Sequence, residues 1–325
     1  VTGDPFLVQT DATAPSVSAA GTLSFVRGSA NLSGELVWVL PDGSTELIGD
    51  GGKVVNSAIV SPDGSRIAFA GGSNPMDQDI WVRDLERGIN TRVSSLEGFV
   101  VPIAWSPDGR EIAAINFNPA ARKNDQTTRF LAADGSGESR EPYVGILPAF
   151  NADWTRAVVV SDPRRGSTTA SVFDLEQMAK MGDLTAEISM GGVAISPDGE
   201  LMLYESRESG ESQIYCTRFP SGEGRWQISG DGGSSPAWSP DGSWAYYQNT
   251  ENELIRVSVT REPSIRFGTP EKVFAIMPKL AEFGRVTPAP DGKRFISVRG
   301  RDDEAAKAGY KLMLIENWFE EFRSR

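Results

Sequence analysis

Short apolar runs alternate along the whole chain with turns rich in Pro, Asp and Gly. The clearest example is Ala58-Ile59-Val60, then Ser61-Pro62-Asp63-Gly64, then Ile67-Ala68-Phe69. Proline presets φ at the first central turn position, aspartate bonds its neighbouring backbone, and glycine takes a positive φ without a Cβ clash. The flanking runs are apolar and partly β-branched, as buried strands are, so the stretch predicts a tight hairpin.

The hairpin repeats. Full or nearly full copies occur at 104–109, 195–199, 237–242 and 288–292, and degenerate ones at 16–21 and 150–154. Aligned on the glycine, the seven copies sit at 21, 64, 109, 154, 199, 242 and 292, with spacings of 43, 45, 45, 45, 43 and 50. A period of this size with four short strands per unit is the pattern of a β-propeller. The expected fold is all-β, a single domain over 1–325 forming a seven-bladed propeller of four-stranded antiparallel blades. Its blades are expected at 12–50, 54–96, 100–144, 147–190, 192–230, 235–277 and 285–317. The seventh unit supplies three strands, so the N-terminal run 5–9 is expected to close the last blade and leave no long edge. Six blades is the alternative, if one degenerate unit is an insertion. The fourth unit is the least regular, and 173–181 reads as briefly helical.

Composition narrows the chemistry. The chain has no histidine among its 325 residues, which removes Ser-His-Asp and Cys-His pairs, His-ligated zinc and histidine acid–base catalysis. Net charge is −12, and no basic patch with interleaved aromatics occurs, so nucleic acid is not an expected partner. Cys216 stands alone in an apolar run and reads as a small buried residue. No apolar run approaches the length of a membrane span. The chain begins at Val1 without a signal-peptide pattern, which suggests a processed or excised segment, so its start says nothing about compartment.

In a propeller the strand A–B and C–D turns share one face, and here both are tight. The B–C and D–A connections share the other face and are longer and varied, so binding residues are expected there. Arg27, Arg164, Arg207 and Arg299 each follow a strand B and are candidates to bind an anionic group bidentately, against the plainer reading that they pair with acids such as Glu205 or Asp302. Asn116, Phe117, Tyr247 and Phe283 are further loop-face candidates. The acidic runs 77–79 and 302–304 match no complete calcium loop and read as solvated charge. Trp105 and Trp238 precede their turns by the same offset, which suggests repeated packing. No cofactor or metal is expected.

The turns Trp105-Ser106-Pro107-Asp108-Gly109 and Trp238-Ser239-Pro240-Asp241-Gly242, with their Ser-Pro-Asp-Gly counterparts, resemble the TolB-type, WD40-like propeller repeat over nearly the whole chain. The segments 3–23 and 314–322 are also similar to the two ends of the C-terminal propeller region of bacterial receptor-like serine/threonine kinases. That resemblance implies a sensor region on the periplasmic or extracellular side of a bacterial membrane, attached to the membrane only through upstream segments absent here. The kinase Gly-rich loop, His-Arg-Asp loop and Asp-Phe-Gly motif are missing, as is the G-x-S-x-G elbow of propeller-gated peptidases. The expected function is non-catalytic binding of a peptide, small molecule or protein at the loop face. A TolB-like envelope scaffold for protein–protein contact is the alternative, and a carboxylate-dependent propeller hydrolase or lyase comes third.

Overall fold

Strands form at the apolar runs that flank the Pro-Asp-Gly turns. The structure is a computed structural model that describes residues 12–18, 22–27, 34–50, 54–74, 77–118, 126–160, 169–186, 188–281, 285–300 and 311–315. Its contacts divide the chain into two compact units, Val1–Ser33 with Arg301–Arg325, and Gly34–Gly300. In the first, β1 (Ala12–Val17) pairs with β2 (Leu23–Arg27), and β2 pairs with β28 (Lys311–Ile315) in a three-stranded antiparallel sheet.

The second unit holds six antiparallel sheets. After β3 (Gly34–Val39) and β4 (Thr45–Asp50), the first complete blade runs β5 (Val54–Val60), β6 (Arg66–Asn74), β7 (Asp77–Asp84) and β8 (Asn90–Arg92). The second blade runs β9 (Phe99–Trp105), β10 (Glu111–Phe117), β11 (Gln126–Ala132) and β12 (Tyr143–Val144). The third is β13 (Ile146–Phe150), β14 (Arg156–Val160), β15 (Thr169–Asp174) and β16 (Ala179–Ala186). The fourth is β17 (Ile188–Ile195), β18 (Leu201–Ser206), β19 (Gln213–Arg218) and β20 (Trp226–Gln227). In the fifth, β21 (Ser234–Trp238), β22 (Trp244–Gln248) and β23 (Glu253–Thr260) are followed by an outer strand in two pieces, β24 (Arg266–Phe267) and β25 (Glu271–Ala275), both paired to β23. A single helical turn, α1 (Pro278–Ala281), leads to β26 (Thr287–Pro288) and β27 (Phe295–Gly300). These two pair onward with β3 and β4, in the order β26-β27-β3-β4, to complete the sixth blade from both parts of the chain.

Side-chain alternation joins the blades. In β6, Ala68 and Ala70 pack toward the second blade, while Ile67 and Phe69 pack toward the sixth. In β18, Met202 and Tyr204 meet the third blade, while Leu201 and Leu203 meet the fifth. Successive side chains of a strand point to opposite faces, so a middle strand covered on both faces reads as a continuous buried run. β18 does so, with all six residues buried. Among the described residues, six such clusters link each blade to the next, and the one containing Leu36, Phe69 and Ile296 joins the sixth blade back to the first. This is a closed ring.

The blade count is therefore six, not seven. Strands β1 and β2 of the first repeat and β28 of the seventh belong to the three-stranded sheet, so these two repeats contribute half a blade each to the ring. The physical reason is the pairing of β27 with β3, with Val39 opposite Phe295 through Gly34 opposite Gly300. Those hydrogen bonds complete β27 in place of a strand from its own repeat. The proposed closing run 5–9 lies outside the described residues. Residues 173–181 are not helical: β15 ends at Asp174, whose Oδ1 accepts from Glu176 N and Gln177 N at 2.9 and 2.8 Å, and the turn feeds β16.

Candidate functional site

On the tight-turn face each Ser-Pro-Asp-Gly turn is closed by its own polar groups. Ser61 Oγ donates to Asp63 Oδ1 at 2.6 Å and accepts from Arg66 N at 2.9 Å, while Gly64, at φ 72°, donates its N–H to Ser61 O. Ser106, Ser196 and Ser239 repeat the arrangement, with Oγ to Asp Oδ1 distances of 2.7, 2.5 and 2.6 Å. These bonds favour the charged carboxylate, and those from the flanking serines hold Asp63 and Asp241 down to about 2. The aspartates are structural hubs of the turns. The two motif tryptophans are buried and reach back one blade, Trp105 Nε1 to Ile59 O at 3.2 Å and Trp238 Nε1 to Ala194 O at 3.1 Å.

The opposite face carries the B–C and D–A connections, and several expected site residues are tied into the scaffold there. Asn116 is buried, and its Nδ2 donates to Glu97 O at 3.0 Å, pinning the entry to β9. Phe117 is half-buried, with its ring 5.8 Å from that of Phe99. Tyr247 is buried in the cluster between the fourth and fifth blades, and burial raises its pKa. Arg299 donates to Glu35 Oε2 at 2.8 Å and Thr45 Oγ1 at 2.9 Å, both in the sixth blade. Its acidic partner among the described residues is Glu35. Arg207 is exposed at the start of a turn in which Gly210 N donates to its carbonyl. The Arg27 side chain, Arg164, Phe283 and the acidic run 302–304 lie outside the described residues. Of the four arginines, only Arg207 and Arg299 have described side chains, the first exposed in its turn and the second paired within the sixth blade.

The run 77–79 begins β7. Asp79 pairs with Arg92 at 2.5 Å and accepts from Ser94 Oγ and Leu96 N, both at 3.1 Å, so its carboxylate organises the loop after β8. A cleft of about 410 Å³ adjoins this loop, lined by residues including Arg92, Leu96, Leu131 and Glu138. Its two charged side chains are paired, Arg92 with Asp79 and Glu138 with Arg129. Cys216 is fully buried, and desolvation pushes its thiol up to about 12, which keeps it protonated and unreactive.

One pair of charges escaped the sequence reading. Glu205, near the end of β18, is buried, and its Oε1 accepts from Ser212 Oγ at 2.6 Å. Gly192 of the inner strand lies flat against it, since a Cβ there would come within 2.3 Å of Glu205 Cβ. Arg285 precedes the inner strand of the sixth blade. Its side chain is exposed, yet desolvation by the surrounding protein lowers its pKa, with the Glu205 charge acting in the opposite direction. The repeated arginines follow strand B, whereas Arg285 precedes strand A. The only signal was an arginine at the foot of an inner strand, and the blade count decides which strand that is.

Residues 34–300 thus form a six-bladed β-propeller of four-stranded antiparallel blades. Its structural neighbours include TolB-type propellers. A protein assigned as TolB from Agrobacterium tumefaciens has a TM-score of 0.60 at 15% identity, over 83% of this chain and 99% of that one. TolB from Acinetobacter baumannii gives 0.54 at 18% identity, over 77% and 68% respectively. Kuenenia stuttgartiensis hydrazine synthase gives 0.55 at 13% identity, over 97% and 99%. The likeness is one of fold, which is shared across unrelated activities. No protein-family profile matches the chain, and no curated protein matches it either.

Proposed function

We propose that this propeller is a non-catalytic protein-binding scaffold of the TolB-like kind, working in the bacterial envelope. The observation that carries the reading is a closed ring whose polar groups on the tight-turn face are committed to the turns, leaving the connections of the other face to differ from blade to blade. A rigid frame with variable loops on one face suits recognition. The absence of histidine from the sequence removes the commonest general bases, and Cys216 is held protonated in the core. The envelope placement is by analogy of fold. The finer assignment, as the extracytoplasmic sensor propeller of a receptor-like kinase, rests on the likeness of the segments 3–23 and 314–322.

The test places a photo-crosslinking amino acid at Arg207 on the loop face or at Ser65 on the tight-turn face, in cells. A discrete protein adduct from position 207 and none from position 65 is expected. Turnover of a peptide or glycan substrate that is abolished by Glu205→Gln would replace the scaffold reading with an enzymatic one.

A further inference from the structure

Nine Asp-Gly pairs occur in the chain, and the fold treats one of them differently. Seven lie in tight turns, at Asp42, Asp63, Asp108, Asp134, Asp198, Asp241 and Asp291, and two bonds recur in each. The glycine N–H donates to the carbonyl two residues before the aspartate, at 2.8–3.0 Å. The aspartate Oδ1 accepts from the backbone N–H two residues on, at 2.9–3.1 Å. An eighth pair, 50–51, runs beyond the described residues. The ninth, Asp231-Gly232, lies on the loop face, in the D–A connection between β20 and β21. Among the described residues, neither its carboxylate nor Gly232 N has a hydrogen-bond partner. Asp231 is exposed, and the backbone around it is held by its carbonyl and by Gly233. Thr250 Oγ1 donates to Asp231 O at 3.2 Å, and Gly233 N donates to Ser212 O at 2.8 Å.

An aspartyl carboxyl followed by glycine can close on the backbone, because no Cβ on the following residue shields the nitrogen that attacks Cγ. In the tight turns both reacting groups are held elsewhere. The N–H is spent on a carbonyl and the carboxylate on the next amide but one, and both bonds must open first. At Asp63 and Asp241 the bonds led by Ser61 and Ser239 also hold the carboxyl at about 2, so at neutral pH it has almost no hydroxyl to lose. At Asp231 no such bond restrains either group.

We propose that Asp231 is a site of spontaneous backbone isomerisation, with water as the only co-reactant. Gly232 N forms a bond to Asp231 Cγ, the Cγ–hydroxyl bond breaks, and the amide proton leaves with the hydroxyl as water. Water then opens the cyclic imide. Opening at Cγ restores aspartate. Opening at the former backbone carbonyl leaves isoaspartate, with the chain routed through Cβ and the α-carboxylate set free. That carboxylate is the kind of group that a carboxyl methyltransferase esterifies with the methyl group of S-adenosylmethionine. The added main-chain carbon displaces the Asp231 carbonyl from Thr250 and Gly233 from Ser212, which lie in two neighbouring connections of the loop face. A Cβ on Gly232 would come within 2.6 Å of Thr250 Cγ2, so the loop has little slack to absorb the change. The reaction requires no partner, and it alters the surface where one is proposed to bind.

The test ages the folded whole chain at neutral pH and physiological temperature. Peptides are then mapped with a protease that cuts before aspartate and not before isoaspartate. Isoaspartate is expected at position 231, accumulating about tenfold or more faster than at Asp63 or Asp241, because two hydrogen bonds hold each of those. Recombinant isoaspartyl methyltransferase with labelled S-adenosylmethionine should label the peptide that contains position 231. That label should be lost in Asp231→Glu, whose longer side chain closes the ring poorly. In the chain unfolded by urea the rates at the three positions should converge, with Asp63 and Asp241 accelerating. Failure of isoaspartate to appear at position 231 in the folded chain overturns the proposal, as do equal rates at 231, 63 and 241 in the folded chain.

Discussion

The serine of each Ser-Pro-Asp-Gly turn acts twice. Ser239 Oγ donates to Asp241 Oδ1 at 2.6 Å and accepts from Trp244 N at 2.9 Å, so one hydroxyl closes the turn and caps the next strand. Ser239→Ala should cost about 1–2 kcal/mol, read by denaturant unfolding, because a buried backbone N–H loses its acceptor. The aspartates add a pH dependence. Their folded pKa of about 2 lies below the usual 3.8, so the contribution of Asp63 and Asp241 is complete above pH 3.8 and is lost as pH falls through about 2. Thermal melts between pH 5 and 2 should show declining stability, with a shallower decline in the Asp63→Asn, Asp241→Asn double variant. An unchanged slope would mean that these carboxylates titrate normally. This scale was legible in the sequence because Pro, Asp, Gly and Ser act within six residues of one another.

At the scale of elements, the blade is a strand meander locked to its predecessor. The Trp238 N–H bonds to Ala194 O of the fourth blade, and Arg261 ties the same blades through Asp198 at 2.6 Å. Trp238→Phe keeps most of the ring volume and loses the donor, so a cost of about 1 kcal/mol is expected, against about 3–5 for Trp238→Ala. Equal effects would remove the hydrogen bond from the account. Glycine sets the loop-side geometry. Gly98 has φ 94°, and a Cβ there would lie 2.3 Å from Phe117 O, so Gly98→Ala should lower Tm markedly and loosen the Asn116 clamp. The strands and their hairpins were readable from apolar alternation. The contents of the loop face were not, because Asn116 and Tyr247 resemble ligand residues in sequence and differ from them only in what packs on them. For Tyr247 that packing comes from the neighbouring blade, which local patterning does not report.

For the whole propeller, closure decides the architecture. Counting hairpins gives seven because the hairpin 16–21 has the right spacing, although it lacks the Pro-Asp-Gly turn. Which strands pair is set by contacts 254 and 264 residues apart, such as Arg299 with Thr45 and Glu35, and no local pattern encodes them. The same pairing moves Arg299 into the body of the sixth blade and sets Arg285 at the foot of that blade's inner strand. The most direct measurement is therefore a disulfide across the closing blade. Glu35 and Arg299 are partners in the β3–β27 ladder, and antiparallel partners lie within the Cα range that a disulfide spans. In the Glu35→Cys, Arg299→Cys variant, mild oxidation should consume both thiols, shift mobility on a non-reducing gel and raise the denaturation midpoint, while buried Cys216 stays reduced. Two thiols that remain free in the folded protein would contradict the closed six-bladed ring.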